Sequence, residues 1–230
     1  MSTFKGLPKD FFAFFKELAQ NNERAWFEEN KQRYKDSVVA PLSDFITAMS
    51  PRLAKISKHM VADPRPNGGS MFRIYRDVRF AKDKSPYKTH AGVHFRHALG
   101  KNAHVPGYYM HFAPDEVFFG GGIWMPEPDA LSKVRRAIAD DPKAWKKVVE
   151  DKTFAKTFKG IDGETLARPP KGFDAGHPYI ADIKRKSFFA TRETTPKKAQ
   201  SEALLDEVEQ SFRAAKPLMA FVCKALDAPF

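Results

Sequence analysis

The stretch that decides the fold is Gly107-Tyr-Tyr-Met-His-Phe112 and Val117-Phe-Phe119, two segments joined by the turn Ala113-Pro-Asp-Glu116. Aromatic and apolar residues at a period of two favour strands, and Pro and Asp favour the turn between them. Further strand candidates lie on both sides of this hairpin: Met71-Phe-Arg-Ile-Tyr-Arg76, Ala91-Gly-Val-His-Phe-Arg96 and Ser187-Phe-Phe-Ala-Thr-Arg192. Together they predict an antiparallel meander of about four to five strands.

The two strands of the central hairpin are apolar on both faces, which predicts that helices cover at least part of the sheet's second side. Gly120-Gly-Gly122 follows directly and is predicted to end the fourth strand. Before the sheet, Phe11, Phe15 and Leu18 repeat at spacings of four and three, which is typical of one helix face.

Helix signals flank the sheet on both sides, so the predicted fold class is α+β, an antiparallel sheet packed with N-terminal, central and C-terminal helices. After the sheet, Thr195-Pro196 is an N-cap and first-turn signature that predicts a helix through Leu204, Val208 and Phe212. No linker divides the chain, so we predict a single domain over 1–230. Its parts are helices over 1–62, the meander with a basic motif over 70–124, helices over 128–151, and irregular structure, a strand and C-terminal helices over 152–230.

Composition limits the classes of protein to consider. The chain has 21 Phe, which predicts an aromatic-rich core, and its single cysteine, Cys223, rules out an internal disulfide and a Cys-rich zinc site. Cysteine poverty fits a reducing compartment. No secretory signal is visible, and no apolar run approaches the ~20 residues that cross a bilayer. We therefore predict a cytoplasmic location and no membrane partner, with Phe11–Phe15 in the core.

Positive charge is concentrated in one region. The chain carries 39 Lys and Arg against 28 Asp and Glu, a formal net charge of +11. From Arg65 to Lys101 there are nine Lys or Arg but only two Asp, a net charge of +7. Such a segment attracts anionic partners, so we expect a nucleotide, a phosphorylated metabolite or a nucleic acid.

The same region carries a distinctive pattern: Arg73-x-x-Arg76-Asp77-x-Arg79-Phe80, followed by Asp83-Lys84-x-x-Tyr87. It resembles the signature of a bacterial family known only as domain of unknown function 2461. The Pro-Gly-Tyr-Tyr segment at 106–109 and the Gly-Gly-Gly-x-Trp segment at 120–124 add to the resemblance, which covers nearly the whole chain. The family implies no activity that can be transferred to these residues.

The first functional hypothesis is a binding module for a phosphate-bearing ligand or nucleic acid. Guanidinium groups pair bidentately with phosphate, and interleaved aromatic rings stack on bases. On a strand, Arg76 would face away from Arg73 and Arg79 unless the backbone bends near Asp77. The predicted ligand-binding residues are Arg73, Arg76, Arg79, Lys82, Lys84, Tyr87 and Lys88.

Two other hypotheses remain open. In the first, the protein is an enzyme acting on a phosphorylated substrate. The three arginines would stabilise the transition state, and Asp77, Asp83 or His90 would transfer protons. In the second, Asp77 and Asp83 neutralise arginines in a network that only fixes a loop for a protein partner. The sequence does not decide between an enzyme and a binding protein, nor does it set the oligomeric state.

A metal site is not predicted and no cofactor is expected. The five histidines in the region are not at a known metal-ligand spacing, although a divalent ion held by His90, His94 and an Asp remains a minor alternative. Gly120-Gly-Gly-Ile-Trp124 is not a phosphate loop, because no Gly-Lys-Ser/Thr follows it. The glycines are expected to mark a kinked strand end, and Trp124 to be either a stacking platform or a core residue.

Overall fold

A computed structural model describes residues 4–100 and 104–230 of the chain. Its N-terminal part is helical, and Pro8 stands immediately before the first helix, where its missing N–H costs nothing. Pro41 lies in the first turn of the longest helix, after a π-helical segment, and Pro51 is inside that helix. The N-terminal elements are α1 (Lys9–Gln20), α2 (Arg24–Glu29), α3 (Lys31–Tyr34), the π-helix Lys35–Val39 and α4 (Ala40–Ala54).

Within the described residues the sheet has five strands in the order β1-β2-β3-β4-β5, and every neighbouring pair is antiparallel. This arrangement confirms the predicted meander. In the central hairpin Tyr109 lies opposite Gly120 and His111 opposite Phe118. The strands are β1 (Met60–Val61), β2 (Ala91–His97), β3 (Gly107–Phe112), β4 (Val117–Ile123) and β5 (Phe188–Thr194).

Central and C-terminal helices complete the α+β fold as predicted. Asp141, Asp151 and Thr195 each accept a backbone N–H at a helix start, which satisfies donors that the helix leaves free. These helices are α5 (Pro128–Asp140), α6 (Pro142–Val149), α7 (Lys152–Thr157), α8 (Ile180–Ile183), α9 (Pro196–Ala199), α10 (Ala203–Ala214) and α11 (Lys216–Ala225).

The core is aromatic, as the Phe content predicts. Phe112 of β3 meets both Phe11 of α1 and Phe45 of α4 at 6.1 Å between ring centroids, in edge-on contacts that aromatic rings favour. Tyr108 stacks on Phe212 of α10 at 4.2 Å. Helices α1, α4 and α10 therefore pack on the same sheet face, and the Phe11–Phe15 run belongs to the core. Among the described residues, no helix is both long and apolar enough to span a bilayer.

The predicted strand Met71–Arg76 is wrong, because its backbone has two different partners. Phe72 N donates to Gly92 O, which holds the start of the segment against the free edge of β2 beyond β1. Arg76 N then donates to Pro86 O, on the returning part of its own loop. Only isolated bridges result, and the two-residue β1, which sequence reasoning missed, is the actual edge strand.

Two predicted boundaries are also wrong. The glycine triplet does not end the fourth strand, because β5 pairs across it, with Gly120 opposite Thr191 and Gly122 opposite Phe189. The helix predicted from Thr195-Pro196 through Phe212 is divided into α9 and α10. Leu7 N donates to Ala199 O at the break, so that carbonyl bonds the N-terminal segment rather than the next helical turn.

Candidate ligand-binding groove

A groove of about 590 Å³ lies on the sheet face opposite α1, α4 and α10. This volume is in the range of small-molecule sites. The groove explains why β3 and β4 are apolar on both faces: one face packs on helices and the other lines the groove. Its lining comprises Phe72, His94, His104, Val105, Gly107, Tyr109, Phe118, Gly120, Gly121, Gly122, Ile123, Trp124, Met125, Pro126, Phe189 and Thr191.

Glycines open the floor of the groove. A Cβ on Gly120 would overlap Ala190 O, and one on Gly122 would overlap Phe188 O, so the backbones of β4 and β5 approach closely here. Gly122 also has φ +143°, which L side chains rarely adopt. A Cβ on Gly107 would overlap the Nε2 atom of His94. These glycines are required by close packing within the protein, and since they also line the groove, this part of its floor is backbone.

Aromatic rings surround this floor. Phe72 and Tyr109 lie 6.1 Å apart between centroids, and Tyr109 lies 6.0 Å from Phe118. Trp124, at the end of β4, is 72% exposed although it lines the cavity. Because Trp124 is exposed and also lines the cavity, its ring is accessible to a ligand in the groove. The groove therefore offers several faces for a flat ring to stack on.

Polar side chains that line the groove are few: His94, His104, Tyr109 and Thr191. Burial, assisted by nearby Arg96, lowers the pKa of His94 to about 4, so this imidazole is neutral at pH 7. Its ring nitrogens have no hydrogen-bond partner in the part of the chain that the structure describes, so they are available to a ligand. The Tyr109 hydroxyl lies 3.2 Å from His111 Nδ1, and the Thr191 hydroxyl donates to Asp162 Oδ2 at 2.7 Å.

Two cations stand beside the groove, on the ring of Phe72. The Arg96 guanidinium lies 5.5 Å from the Phe72 centroid and the Lys88 ammonium 6.0 Å, both within cation–π range. Within 4–100 and 104–230, neither forms an ion pair. Lys88 Nζ instead donates to Arg73 O at 2.6 Å and Tyr75 O at 3.1 Å, and burial lowers its pKa. None of the described residues that line the groove is acidic, so the positive charge at this edge is uncompensated there.

The predicted ligand-binding arginines are largely paired within their own loop. Arg76 Nη1 donates to Asp83 Oδ2 at 2.5 Å and to Ser85 O at 3.1 Å. Arg79 makes two hydrogen bonds to Asp77, at 2.9 and 2.7 Å. The Arg79 bonds lower the pKa of Asp77 to about 2, and hydrogen bonds from Ser85 and then Arg76 lower that of Asp83. Both carboxylates are therefore ionised acceptors at pH 7.

The other predicted cations are dispersed. Lys84 Nζ donates to Val78 O at 3.0 Å, while Arg73 and Lys82 are exposed. Phe80 is 96% exposed at the tip of the same loop. Arg73, Arg79, Lys82 and Lys84 line neither the groove nor the smaller pocket described next. Lys101, the last cation of the basic segment, lies outside the described residues.

A second, smaller pocket of about 330 Å³ contains Arg76 and Tyr87, two of the predicted ligand-binding residues. Tyr87 stacks on Phe27 of α2 at 4.2 Å between centroids. The other residues that line this pocket come from α2 and from the loop over 73–88, which carries the arginine motif and is called the motif loop: Arg24, Glu28, Tyr75, Val78 and Pro86. The motif and the residues on either side of it therefore serve two places. Phe72 and Lys88 flank the motif and lie at the groove, and Arg76 and Tyr87 line this pocket.

His90, a predicted catalytic candidate, belongs to a stack of rings. It lies 4.2 Å from His111, which lies 4.8 Å from Phe118 in the groove wall. Burial, with a smaller effect from His111, lowers the His90 pKa to about 4. His97 is buried and hydrogen-bonded to Pro229 O. Among the described residues, no three His, Cys, Asp or Glu side chains are grouped to hold a metal ion.

Sequence reasoning missed the groove as a unit. Tyr109, Phe118 and Phe189 share one sheet face, and this could have been seen from their alternation with Tyr108, Phe119 and Phe188. Their proximity depends on strand pairing, which alternation does not reveal.

A comparison with curated proteins finds no match for this chain. The family model described as conserved hypothetical protein (DUF2461) matches residues 10–221. That match spans the N-terminal helices, all five strands and most of the last helix, so it includes both the groove and the motif loop. The chain is therefore a member of the conserved hypothetical protein family DUF2461.

Proposed function

We propose that this protein binds a ligand that combines a flat ring with a phosphate, such as a nucleotide or a single-stranded nucleic acid, in the groove. The observation that carries the proposal is the position of Phe72, which forms part of the aromatic lining and lies beside both Arg96 and Lys88. Stacking and phosphate pairing would then occur side by side, as in many nucleic-acid-binding sheets.

The groove supplies each part that such a ligand needs. Tyr109, Phe118 and Trp124 offer apolar faces on which a base could stack. Neutral His94 has one N–H donor and one acceptor, which suit the edge of a base. Arg96 offers a guanidinium without a carboxylate partner in the described chain, and guanidinium groups favour phosphate.

The geometry favours the groove over the motif loop as the principal site. Arg76 and Arg79 already bond carboxylates of the loop, so their charge is compensated without a ligand. This pairing supports a structural part for Asp77 and Asp83, as in the hypothesis of a loop-fixing network. We also propose a cytoplasmic location, which is supported by the single cysteine being a buried free thiol.

Trp124 provides the test, because a ligand in the groove should change its fluorescence. The titrants are AMP, a short oligothymidylate, adenosine without phosphate, and ribose 5-phosphate without a base. We expect AMP or the oligonucleotide to bind more tightly than either fragment. We also expect affinity to fall as salt concentration rises, because phosphate contacts are screened and counterions are released.

The variant Trp124→Phe shows whether the fluorescence signal comes from the groove, because this variant keeps Trp26 and Trp145, which do not line the groove. Loss of the fluorescence change with retained binding by calorimetry locates the ligand near Trp124. If none of the four compounds binds, or if adenosine binds as tightly as AMP at every salt concentration, the proposal is wrong.

A further inference from the structure

The smaller pocket is a built site that the proposed function does not use. One wall of the pocket is the pair of segments Ile74–Arg76 and Pro86–Lys88, joined by Arg76 N to Pro86 O at 2.9 Å and Lys88 N to Ile74 O at 2.8 Å. Asn22 fixes this pair to the start of α2, because it donates to Tyr87 O at 3.0 Å and accepts from Tyr87 N at 3.1 Å. The pocket wall is thus held by backbone bonds and by one side-chain amide that bonds the backbone on both sides of Tyr87.

Two guanidinium groups face this pocket with donors to spare. Arg76 uses Nη1 for Asp83 and Ser85, and its Nε and Nη2 have no acceptor in the described residues. Arg24 lines the pocket and has no hydrogen bond or ion pair within 4–100 and 104–230. Since guanidinium hydrogen bonds are strong when the acceptor is charged, the arrangement suits an oxyanion.

The nearby carboxylates decide which oxyanion fits. Asp83 compensates Arg76, and Glu28 in the pocket is bound to Lys31 at 2.9 Å. Arg24 is then the one cation of the pocket lining without a carboxylate partner in the described chain. The pocket therefore has one uncompensated positive charge, which a ligand with a single negative charge would neutralise. A dianionic phosphate monoester would bring one negative charge more than the pocket neutralises, and that charge would be repelled by the Glu28 carboxylate. The planar fork of a guanidinium also matches a carboxylate.

The walls indicate what the rest of the ligand is. Tyr75, which is 47% exposed, and Tyr87 lie 5.5 Å apart between centroids, and Val78 and Pro86 complete an apolar lining. We propose that this pocket binds a small aromatic or apolar monocarboxylate, with its carboxylate on Arg24 and Arg76 and its body against the two tyrosines. The site is separate from the groove and does not depend on the proposed function.

The test uses the full chain with three small compounds: benzoate, its neutral analogue benzamide, and phenyl phosphate. Amide chemical shifts are followed at Arg76 and Tyr87 in the pocket and at Tyr109 in the groove. We expect benzoate to shift the pocket amides and to bind more tightly than both other compounds. Arg24→Gln should weaken benzoate binding by about tenfold, because one charge-assisted hydrogen-bond partner is lost.

Arg24 is exposed, so its substitution should leave the fold intact, which unfolding in urea checks. Arg213→Gln, on α10 and paired with Glu209, removes the same charge elsewhere and should leave binding unchanged. Arg96→Gln should also leave it unchanged, which separates this site from the groove. The proposal is wrong if benzoate does not bind, if benzamide or phenyl phosphate binds as well as benzoate, or if Arg24→Gln and Arg213→Gln have equal effects.

Discussion

Arg96 of β2 places its guanidinium 5.5 Å from the ring centroid of Phe72, which lies just outside the sheet. The contact depends on backbone pairing, since Phe72 N donates to Gly92 O at 2.9 Å and so holds its ring over the groove side of β2. A cation and an aromatic ring are thus fixed side by side at the edge of the groove. Such a pair can serve the phosphate and the base of one ligand together.

Replacing Phe72 with Ala should weaken nucleotide binding and reduce its preference for compounds that contain a base. A lost stacking partner costs about 1–3 kcal/mol, which corresponds to roughly fivefold to 150-fold in affinity. Calorimetry with AMP and ribose 5-phosphate measures the difference. Phe80→Ala is the matched control, because Phe80 is exposed and lines neither cavity, so an equal loss there would contradict the placement of the ligand.

Replacing Arg96 with Gln should lower affinity for AMP by about tenfold or more, because a charged hydrogen-bond donor to phosphate is removed. Affinity for adenosine should stay unchanged, since no phosphate is present. The salt dependence of AMP binding should also become shallower. Equal weakening of AMP and adenosine would indicate that Arg96 acts on the shape of the groove rather than on phosphate.

The protonation of His94 should make stability depend on pH. Its pKa is lowered in the folded state from 6.5 to about 4, mainly because it is buried, so folding favours the neutral ring. The contribution of His94 to the free energy of unfolding is fully present above pH 6.5 and is lost progressively as pH falls toward 4. Urea unfolding of wild type and His94→Gln over this range measures it.

The wild type should lose more stability than His94→Gln between pH 7 and pH 5, although His90 adds a similar loss to both proteins. Magnetic resonance of the His94 ring should show no titration near pH 6.5. A ring that titrates there would contradict the lowered pKa and would remove the argument that this imidazole is neutral in the groove.

Much of the fold could be predicted because the decisive signals are local. Alternation between Tyr108 and Tyr109, and between Phe118 and Phe119, identifies strands whatever they pair with, and a meander joins neighbouring strands. The segment Met71–Arg76 has the same alternation but is not a strand. Whether this segment can pair with β2 depends on how much of that edge of β2 is already covered by Met60–Val61. A strand of two residues is too short to recognise from sequence.

The candidate site was harder to predict for a related reason. Sequence shows that cations outnumber acids near the motif, but it does not show that Arg76 reaches Asp83 or that Arg79 turns back onto Asp77. Arg96 looked like an ordinary strand residue and is one of the cations left without an acid partner in the described chain. Charge counts identify the region, and only side-chain geometry identifies which charge is free.

Replacing Asn22 with Ala should loosen the motif loop. Its amide bonds both the N–H and the carbonyl of Tyr87, so the substitution leaves two backbone groups of a buried residue without partners. The expected loss of stability is about 1–3 kcal/mol. Hydrogen exchange should speed up at Arg76 and Lys88. Asn21→Ala, which removes an exposed bond to Glu17 O, should have a smaller effect and none on the loop.

The last prediction tests whether the glycines of β4 serve to bring β4 and β5 together. Gly120→Ala should destabilise the protein by about 1–3 kcal/mol, because an added methyl group forces neighbouring backbone to move. Here the overlapping atom is Ala190 O, which belongs to a paired strand and has little freedom to shift. Urea unfolding measures the loss.

Gly176→Ala is the matched control, since its Cβ would make only ordinary contacts with Asp174 at 3.5 Å or more. Because Gly120 also forms part of the groove floor, its methyl group should weaken ligand binding at temperatures where the variant is still folded. A Gly120→Ala variant as stable as Gly176→Ala would show that β4 and β5 can separate without cost. The close approach of the two strands would then not be what shapes the groove.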